Sequence, residues 1–325
     1  MRAVVVDRMM EPKELRVLDA PEPELRPGTL GIDVKAAGCN FFDTLICKGR
    51  YQVKPPLPFV PGGEISGIVR ELGEGARGFS VGDRVCCALG SIGGYAERAV
   101  VPMTLAWKLP DRMSFAEGAA LPIVYPTSYA GLVYRAALQA GETLLVHAAA
   151  GGVGIAAVQI GRALGARVIA TAGGEDKLAV AREAGAELAI DYRQEDFAAR
   201  VMEETGGQGA DVIYDPVGGE VFDQSLKCIA WNGRLLVIGF ASGTIPTPRL
   251  NRVLLKNIAL VGLHWTAYFE KEPERVDEAF RALLALYERG EIRPPVHRSY
   301  RLEQAGEALA ELASRGTTGK VVLEP

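Results

Sequence analysis

The sequence predicts an α/β protein that combines a compact β domain with a doubly wound parallel sheet. In the first ~120 residues, short β-branched runs alternate with Gly and Pro, and few helical stretches interrupt them. From about Pro122 onward, apolar strands alternate with helical segments, which is typical of a parallel sheet covered by helices. A chain of 325 residues is long enough for two such domains.

Turn residues bound the strands of the N-terminal part, which are predicted at Val4–Val6, Gly31–Val34, Gly67–Leu72 and Arg84–Ala88. Apolar runs place the strands of the second part at Leu144–Ala148, Arg167–Thr171, Leu188–Ile190, Asp211–Asp215, Leu235–Ile238 and Ile258–Gly262. Helical periodicity indicates helices directly after Gly154, at Leu178–Ala184 and at Pro273–Arg289. A final strand is predicted at Gly319–Leu323.

Composition and charge exclude several classes of protein. With 48% hydrophobic residues the chain is too apolar to be disordered, and its net charge of −4 provides no field that would recruit nucleic acid or an anionic membrane. No run reaches the ~18–20 apolar residues of a membrane span, and the apolar start is too short for a signal peptide, so we expect a cytoplasmic protein. Its five cysteines lack a CxxC pair, which indicates reduced thiols and argues against a structural zinc lobe.

A glycine loop lies between a predicted buried strand and a helix. It reads Ala149-Ala150-Gly151-Gly152-Val153-Gly154. Small residues let the backbone approach a pyrophosphate, and the helix N-terminus offers free N–H groups and partial positive charge. Ala149 stands at the first position of the G-x-G-x-x-G pattern, and Gly151 and Gly154 occupy the other two. Its place between strand and helix favours a dinucleotide site over a simple tight turn.

The end of the second strand indicates which dinucleotide binds. NAD sites usually carry Asp or Glu there to accept hydrogen bonds from the ribose hydroxyls. Here the segment Thr171-Ala172-Gly173-Gly174 is small and neutral. Glu175 fits the first turn of the next helix, where a negative charge complements the dipole. Lys177 either reaches a 2′-phosphate or is a solvated helix lysine, and the neutral strand end favours NADPH.

Short motifs spread over the chain form an ordered series. Those of the N-terminal part are Gly38–Asp43, Pro61–Gly67 and Gly82–Val85. Those of the remainder are Leu121–Tyr129, Val146–Tyr192, Asp215–Gly219, Gly239-Phe240 and Gly319–Leu323. Together they resemble the zinc-free quinone oxidoreductase branch of the medium-chain dehydrogenases/reductases over essentially the whole chain. The resemblance indicates the family and leaves the substrate open.

The resemblance implies a chaperonin-10-like β domain, residues 1–122 and 266–325, interrupted by an NADPH-binding Rossmann domain at 123–265, with the active site in the cleft between them. It also implies a homodimer formed through the Rossmann domains, for which Ile258–Gly262 offers an uncovered strand edge. By the same likeness Lys177 and Tyr192 bind the 2′-phosphate. The other implied cofactor residues are Thr127, Ala150, Gly151, Gly152, Val153, Gly154, Gly173, Phe240, Leu263, His264, Trp265 and Lys320.

The zinc positions of related alcohol dehydrogenases are altered in this chain. Those enzymes use a Cys and a Gly-His-Glu motif, and the matching positions here are Asn40 and Gly63. Loss of both ligands removes the Lewis acid that polarises an alcohol or carbonyl oxygen. Cys39 is adjacent, but no histidine precedes His147. The sequence therefore predicts no metal and disfavours simple alcohol oxidation.

Without a metal, hydride can still pass to an acceptor that is already electrophilic. Quinones, enones and enoyl thioesters spread the developing negative charge by conjugation, and protein donors can stabilise the rest. Tyr51 lies in Lys48–Pro58, a loop that resembles the one carrying the proton-donating tyrosine of mitochondrial-type enoyl-thioester reductases. Because a phenol is protonated at neutral pH, Tyr51 is either the proton donor or an aromatic wall. Asn40 either hydrogen-bonds the substrate or the nicotinamide ribose, or pins its loop.

The predicted activity is NADPH-dependent reduction of a small-molecule quinone or other activated conjugated carbonyl. One alternative is an enoyl-thioester reductase, for which Lys48, Arg50 and Lys54 would form a basic docking patch. A second is a non-catalytic NADPH-binding protein like the lens crystallins of the family, although no cofactor residue is missing. His147 is expected to be a packed core histidine. Arg193 and Arg249 are each either solvated or a supplement to the phosphate site.

Overall fold

The computed structural model describes residues 1–314 and 316–325 and separates into two compact units. The first unit comprises Met1–Ile123 and Pro294–Pro325, and the second comprises Val124–Arg293. Among the described residues, no helix combines the length and the apolar character that crossing a bilayer requires.

The strands, in chain order, are β1 (Arg2–Val5), β2 (Arg16–Asp19), β3 (Thr29–Cys39), β4 (Glu64–Leu72), β5 (Arg84–Ala88), β6 (Arg98–Pro102), β7 (Ala106–Lys108), β8 (Thr143–Val146), β9 (Arg167–Ala172), β10 (Leu188–Asp191), β11 (Ala210–Asp215), β12 (Ile229–Val237), β13 (Ala259–Gly262), β14 (Val296–Arg301) and β15 (Lys320–Glu324). The α-helices are α1 (Phe41–Cys47), α2 (Phe115–Ala119), α3 (Val124–Tyr129), α4 (Gly152–Ala163), α5 (Glu175–Ala184), α6 (Phe197–Glu204), α7 (Glu220–Cys228), α8 (Leu250–Lys256), α9 (Tyr268–Lys271), α10 (Pro273–Glu288) and α11 (Ala305–Ala313). A π-helical turn at Ala130–Arg135 continues α3.

The first unit is built on a seven-stranded sheet in the order β14-β15-β3-β4-β5-β7, with β6 also paired to β3. Strand β3 pairs antiparallel with β4, β6 and β15 and has register shifts between Gly31 and Ile32 and between Val34 and Ala36. Such bulges bend a strand and increase its twist. Gly67 fits between β4 and β3, because a Cβ there would lie 2.2 Å from the Asp33 carbonyl oxygen. The unit has its own apolar core.

The second unit is a six-stranded parallel sheet in the order β10-β9-β8-β11-β12-β13. The central strand β8 is apolar throughout its buried part because helices cover both faces of such a sheet. Numbered within the unit, the order is 3-2-1-4-5-6, which is that of the doubly wound dinucleotide-binding fold, and the predicted fold class is confirmed. The strand order reverses between β8 and β11, and the crevice at this switch point is where such folds bind ligands.

The boundary between the units differs from the predicted one on its C-terminal side. The sequence analysis assigns residues 266–293 to the first domain, whereas the structure places them in the second unit. The reason is packing, since the long amphipathic helix α10 lies against α3. Its apolar stripe, which includes Val276, Phe280 and Leu283, is fully buried there.

Candidate cofactor and substrate site

The predicted cofactor residues of the second unit follow the strands of the parallel sheet. These residues lie in the loops that follow the carboxyl ends of the strands, and in a parallel sheet those ends meet at one edge. The residues that follow β8, β9, β10, β12 and β13 are, in that order, Ala150–Gly154, Gly173, Tyr192, Phe240 and Leu263-His264. The structure thus collects one predicted residue or segment from each of five strands at the edge where dinucleotides bind.

The glycine loop makes a tight turn between β8 and α4. Ala148 adopts a left-handed conformation with φ of 50°, and the Gly151 N–H donates to its carbonyl at 2.9 Å. A Cβ at Gly154 would lie 2.2 Å from the same carbonyl oxygen, so only glycine fits without backbone movement. Helix α4 begins at Gly152, and its first-turn N–H groups lack partners within the helix. These features fit a pyrophosphate.

A polar group surrounds the end of β9. A Cβ at Gly173 would lie 2.8 Å from the Tyr192 hydroxyl and 2.6 Å from Arg193 Nε, so both side chains lie over this glycine. Lys177 is in the first turn of α5, and its backbone N–H donates to the Gly174 carbonyl at 3.1 Å. The carboxylate of Asp191 is also near, but it accepts backbone N–H groups of Gly174 at 3.2 Å and Arg193 at 3.0 Å. The arrangement suits a 2′-phosphate, since two side-chain donors, the Tyr192 hydroxyl and the Arg193 guanidinium, lie together over Gly173.

The predicted nicotinamide residues lie at the other half of the sheet. Phe240 is 41% exposed, and its ring lies 3.0 Å from the position of a Cβ at Gly218. The Leu263 N–H donates to the Val237 carbonyl at 3.3 Å. His264 is exposed, and its Nε2 lies 2.9 Å from the Thr266 hydroxyl.

Two further residues named in the sequence analysis, Thr127 and His147, are partly or fully buried. Thr127 is half-buried in α3, one residue before the buried Ser128. His147 is fully buried between the hydroxyls of Thr171 at 2.9 Å and Ser225 at 2.8 Å, and burial lowers its pKa to about 3. It is therefore neutral and packed in the core, in agreement with the prediction, and cannot act as a base at this edge.

In the first unit, Asn40 lies between two opposite charges. It follows β3 and caps α1, and its Nδ2 donates to Glu64 Oε1 at 2.8 Å. Its Oδ1 accepts from Lys320 Nζ at 2.5 Å, and Lys320 Nζ also contacts Glu64 Oε1 at 2.5 Å. The second carboxylate oxygen, Glu64 Oε2, accepts the Ile123 backbone N–H at 2.8 Å.

Lys320, which is predicted to line the cofactor, is paired with a carboxylate inside the first unit. It is only 4% exposed, and the Glu64 beside it is completely buried. Because the ammonium is already neutralised by a carboxylate inside the first unit, the structure assigns it to an internal ion pair. The residue is the first of β15, whose pairing with β3 brings it to Asn40.

A second buried carboxyl lies beneath the same helix. Asp43 Oδ2 accepts the Asn40 backbone N–H at 2.7 Å and the Tyr95 hydroxyl at 2.7 Å. Its other oxygen, Oδ1, has no hydrogen-bond partner among the described residues. Burial raises the pKa of Asp43 to about 7, and the hydrogen bonds from Tyr95 and Asn40 offset part of that rise.

Tyr51 lies in the loop after α1 and is half-buried. Its ring stacks on that of Phe42, with centroids 5.6 Å apart. Burial, and then the nearby Asp43, raise its pKa, so the phenol is protonated at neutral pH. Lys48, one of the three basic residues near Tyr51 in sequence, forms an ion pair with Glu11 at 2.6 Å. The predicted basic patch is therefore partly neutralised.

The residues at the positions that match the zinc ligands of related alcohol dehydrogenases, Asn40 and Gly63, do not suit that metal. The Asn40 amide is already bonded to Glu64 and Lys320. Gly63 has no room for a side chain, since a Cβ would lie 2.6 Å from the Gly90 carbonyl oxygen. Cys39 is buried, and burial raises the pKa of its thiol to about 12, so the thiolate that zinc prefers is not available.

Sequence reasoning missed three polar residues of these clusters. Glu64 stands in the motif Pro61–Gly67, but nothing in sequence indicates that its partner lies at the C-terminus of the chain. Asp43 could have been found, because an acidic residue three positions after an N-cap is a helix-start signal. Asp191 ends β10, yet its side chain turns toward Gly174 of the preceding loop.

Two protein families match the chain. Residues 26–111 match the family described as Alcohol dehydrogenase GroES-like domain, and residues 152–285 match the family described as Zinc-binding dehydrogenase. The first match agrees with the predicted chaperonin-10-like domain. The second match does not include Asn40 or Gly63, so its description does not bear on the metal positions.

Proteins named quinone oxidoreductase are similar to the chain over its whole length. A quinone oxidoreductase-like protein 2 homolog from Nematostella vectensis is 44% identical over 325 residues, which cover 99% of this chain and 88% of that protein. The quinone oxidoreductase of Pseudomonas aeruginosa is 37% identical, with 97% and 96% covered. The solved structure of Escherichia coli quinone oxidoreductase complexed with NADPH has a TM-score of 0.91 at 32% identity and covers 100% of both chains.

Proposed function

Because the chain belongs to the medium-chain dehydrogenase/reductase family, in the branch of the quinone oxidoreductases, we propose that it is an NADPH-dependent oxidoreductase that transfers hydride to quinones and other activated conjugated carbonyls. The observation that carries this proposal is the end of β9, where the Tyr192 hydroxyl and Arg193 Nε lie together over Gly173, within 2.8 Å and 2.6 Å of where a Cβ would stand, as donors suited to a 2′-phosphate. The similarity to NADPH-complexed quinone oxidoreductase over the whole chain supports the same cofactor.

NADPH would be bound along the carboxyl edge of the parallel sheet. The glycine loop and the first turn of α4 would bind its pyrophosphate, and Lys177, Tyr192 and Arg193 its 2′-phosphate. Thr127, Phe240, Leu263 and the backbone of His264 would surround its nicotinamide end. When bound, the cofactor supplies the hydride. The chain's part is to orient it and to select the phosphorylated form.

We propose that the enzyme works without zinc. Asn40 and Gly63 supply no ligand, and a histidine at position 63 would collide with the Gly90 carbonyl. Quinones and enones need little help from a metal, since conjugation spreads the charge that develops on their oxygen. The Asn40 amide is the side-chain donor that would stabilise that oxygen.

Tyr51 is the proposed proton donor for enone acceptors. Its phenol is half-buried, and its raised pKa keeps it protonated. Stacking on Phe42 fixes the plane of its ring. With quinones, solvent can supply the protons, so Tyr51 would act there mainly as an aromatic wall.

Two alternatives from the sequence are less well supported. Enoyl-thioester reduction would use a basic patch for the carrier group, and the Lys48–Glu11 ion pair removes part of that charge. A non-catalytic NADPH-binding protein would keep the cofactor site and lose the substrate site. The ordered polar cluster at Asn40 argues against such a loss.

We propose a homodimer formed through the second unit. Strand β13 is the edge of its sheet, and the neighbouring helix α8 exposes three leucines by 68–77%: Leu250, Leu254 and Leu255. An exposed apolar face beside an open strand edge favours pairing. A cytoplasmic location agrees with five buried, unpaired cysteines, because reduced thiols persist in that compartment.

A panel of acceptors tests the proposed activity. NADPH oxidation would be followed with a benzoquinone, a simple enone and an enoyl-CoA, each over a range of concentrations. We expect the largest kcat/KM with the quinone. A kcat/KM at least tenfold larger with the enoyl-CoA would replace the proposal by the thioester alternative, and NADPH binding without turnover of any acceptor would support the non-catalytic one.

A further inference from the structure

The Asn40 amide is fixed by a buried pair of opposite charges. Its Nδ2 donates to the Glu64 carboxylate at 2.8 Å, and its Oδ1 accepts from the Lys320 ammonium at 2.5 Å. All three side chains are nearly or completely buried, with exposed fractions of 6%, 0% and 4% for Asn40, Glu64 and Lys320. The amide therefore lies between a negative and a positive group with almost no water to screen them.

Only one orientation of the amide is compatible with these neighbours. Rotation by 180° would place the carbonyl oxygen against a carboxylate and the NH2 group against an ammonium. Both new contacts would be repulsive, and in a buried site neither could be relieved by solvent. An asparagine in water has no such preference. The ion pair thus decides which atom of the amide lies on which side.

Backbone groups of the same chain hold the Glu64 carboxylate in place. Glu64 Oε2 accepts the Ile123 backbone N–H at 2.8 Å, which uses the oxygen that Asn40 does not. A Cβ at Gly38 would lie 2.5 Å from Glu64 Oε1 and 2.4 Å from the Ala119 carbonyl oxygen. The Gly38 backbone is therefore packed closely against Glu64, which limits how far this carboxylate can move from the amide.

The fixed orientation leaves a defined hydrogen-bonding capacity. A side-chain amide has two N–H donors on Nδ2. One donates to Glu64, and the second is not used in that contact. We propose that Glu64 and Lys320 are positioning residues, which hold the Asn40 amide so that this second Nδ2–H binds the oxygen of the acceptor. The inference rests on the proposed function, because it assigns the donor to the acceptor of that reaction.

The role of the pair is separate from that of the substrate donor. Neither Glu64 nor Lys320 needs to touch the acceptor, since both act through the orientation of one amide. A purely structural ion pair would instead stabilise the first unit and leave the chemical step unchanged. The two roles can be separated by comparing kcat, KM and unfolding temperature in the same variants.

The test uses a substitution that removes both charges and preserves shape. In Glu64→Gln/Lys320→Met, no charge remains to fix the amide. We expect kcat with benzoquinone to fall at least about tenfold. This loss should not exceed that of Asn40→Ala, in which removal of the donor itself should lower kcat by about 10²-fold or more. NADPH affinity should stay within about twofold, because its proposed site is in the second unit.

A matched control removes an ion pair elsewhere. Arg234 bonds both oxygens of Glu142 in the second unit, at 2.9 Å and 2.6 Å. The variant Glu142→Gln/Arg234→Met should keep the kcat of the unaltered protein, even where it lowers the unfolding temperature. An equal loss of kcat in both double variants would show that the effect is general destabilisation and would overturn the proposal.

Combining the double substitution with Asn40→Ala tests the positioning role more directly than the double variant alone. If the pair acts through Asn40, adding Glu64→Gln/Lys320→Met to Asn40→Ala should change kcat by no more than about twofold, because the group to be positioned is already absent. Losses that multiply would overturn the positioning role. A loss that falls on the dissociation constant of NADPH would assign the donor to the cofactor and would also overturn it.

The orientation itself can be read without activity. In ¹⁵N–¹H spectra, assigned with Asn40→Ala, the Nδ2 proton bonded to Glu64 should be shifted strongly downfield, and the shift should vanish in Glu64→Gln/Lys320→Met. Its absence in the unaltered protein would overturn the inference. The two failures are distinguishable: lack of turnover with any quinone rejects the proposed function, whereas turnover that the double substitution does not change rejects the positioning role.

Discussion

The Tyr95 hydroxyl donates a hydrogen bond of 2.7 Å to Asp43 Oδ2, while the other oxygen of that carboxyl is buried and has no hydrogen-bond partner within residues 1–314 and 316–325. An ionised Asp43 would leave charge on an oxygen that nothing solvates. Protonation of Oδ1 removes that charge, which agrees with the rise of the pKa of Asp43 to about 7 by burial. The titratable groups around it are Tyr95, Cys39, Cys47, Tyr51, Glu64 and Lys320.

This carboxyl predicts a pH-dependent stability. Between the ordinary pKa of 3.8 and the folded value of about 7, the folded protein retains a proton that the unfolded chain has lost. The contribution of Asp43 to the unfolding free energy should therefore be most favourable below the lower value and should fall as the pH rises to about 7, by about 4 kcal/mol in total.

Comparison with Asp43→Asn, which mimics the neutral carboxyl, isolates this contribution. We expect the unfolding free energy of the unaltered protein to fall relative to the variant between pH 4 and 7, the interval set by those pKa values. Denaturant unfolding at several pH values measures it. The buried His147 acts in the opposite sense, but it is present in both proteins and cancels. A difference that does not change with pH would show that Asp43 is ionised in the fold.

The preference for NADPH over NADH should depend on the side chains proposed to bind the 2′-phosphate near Gly173. We expect NADPH to bind at least about tenfold more tightly than NADH, a difference of about 1.4 kcal/mol. Lys177→Ala should remove most of it, because it deletes a charge-assisted contact to a phosphate that NADH lacks. Fluorescence titration with both cofactors measures the preference. Lys227→Ala, which removes an exposed lysine from the last turn of α7, is the control. Equal affinities in the unaltered protein would reject the assignment.

Tyr51→Phe separates a proton donor from an aromatic wall. The substitution removes one hydroxyl and keeps the ring on Phe42, so the fold and NADPH affinity should be unchanged. Enone reduction should slow by about 10²–10⁴-fold, the usual effect of general acid catalysis. Quinone reduction should suffer less, since solvent can protonate the reduced quinone. An unchanged kcat with the best enone would remove Tyr51 from catalysis, and a change in KM alone would indicate uniform binding.

The exposed leucines of α8 predict where the dimer forms. Leu254 is 77% exposed, and Leu254→Arg should shift the protein from dimer to monomer in sedimentation at micromolar concentration, because it places a charge in an apolar interface. Val81 of the first unit is 66% exposed, and Val81→Arg is the matched control that should remain dimeric. A monomer before any substitution would reject the dimer.

Burial on both faces explains how much of the second unit could be predicted. Strands such as β8 and β9 are continuous apolar runs because helices cover both sides of the sheet, and such runs are visible in sequence. Strand β14, with the sequence VHRSYR, was missed because it is an edge strand with mostly exposed side chains. Helix α8 has no buried residue and so shows no amphipathic pattern toward this chain's own core.

The candidate site was predictable where it depends on local sequence. The glycine loop needs only the order of strand, small residues and helix. The environment of Asn40 depends on Lys320, which is 280 positions away in sequence, and only the pairing of β15 with β3 brings the two together. The sequence therefore indicated Asn40 and Lys320 separately as candidate site residues but could not show that their side chains contact each other.

Steady-state oxidation of NADPH by chelator-treated protein, with benzoquinone as the acceptor, tests the central claim most directly. We expect turnover in proportion to enzyme, one hydroquinone formed per NADPH consumed, and a kcat in the usual range of about 1–10³ s⁻¹. Adding zinc should not raise the rate. A rate no greater than that of the uncatalysed reaction, or turnover that appears only with zinc, would contradict the account.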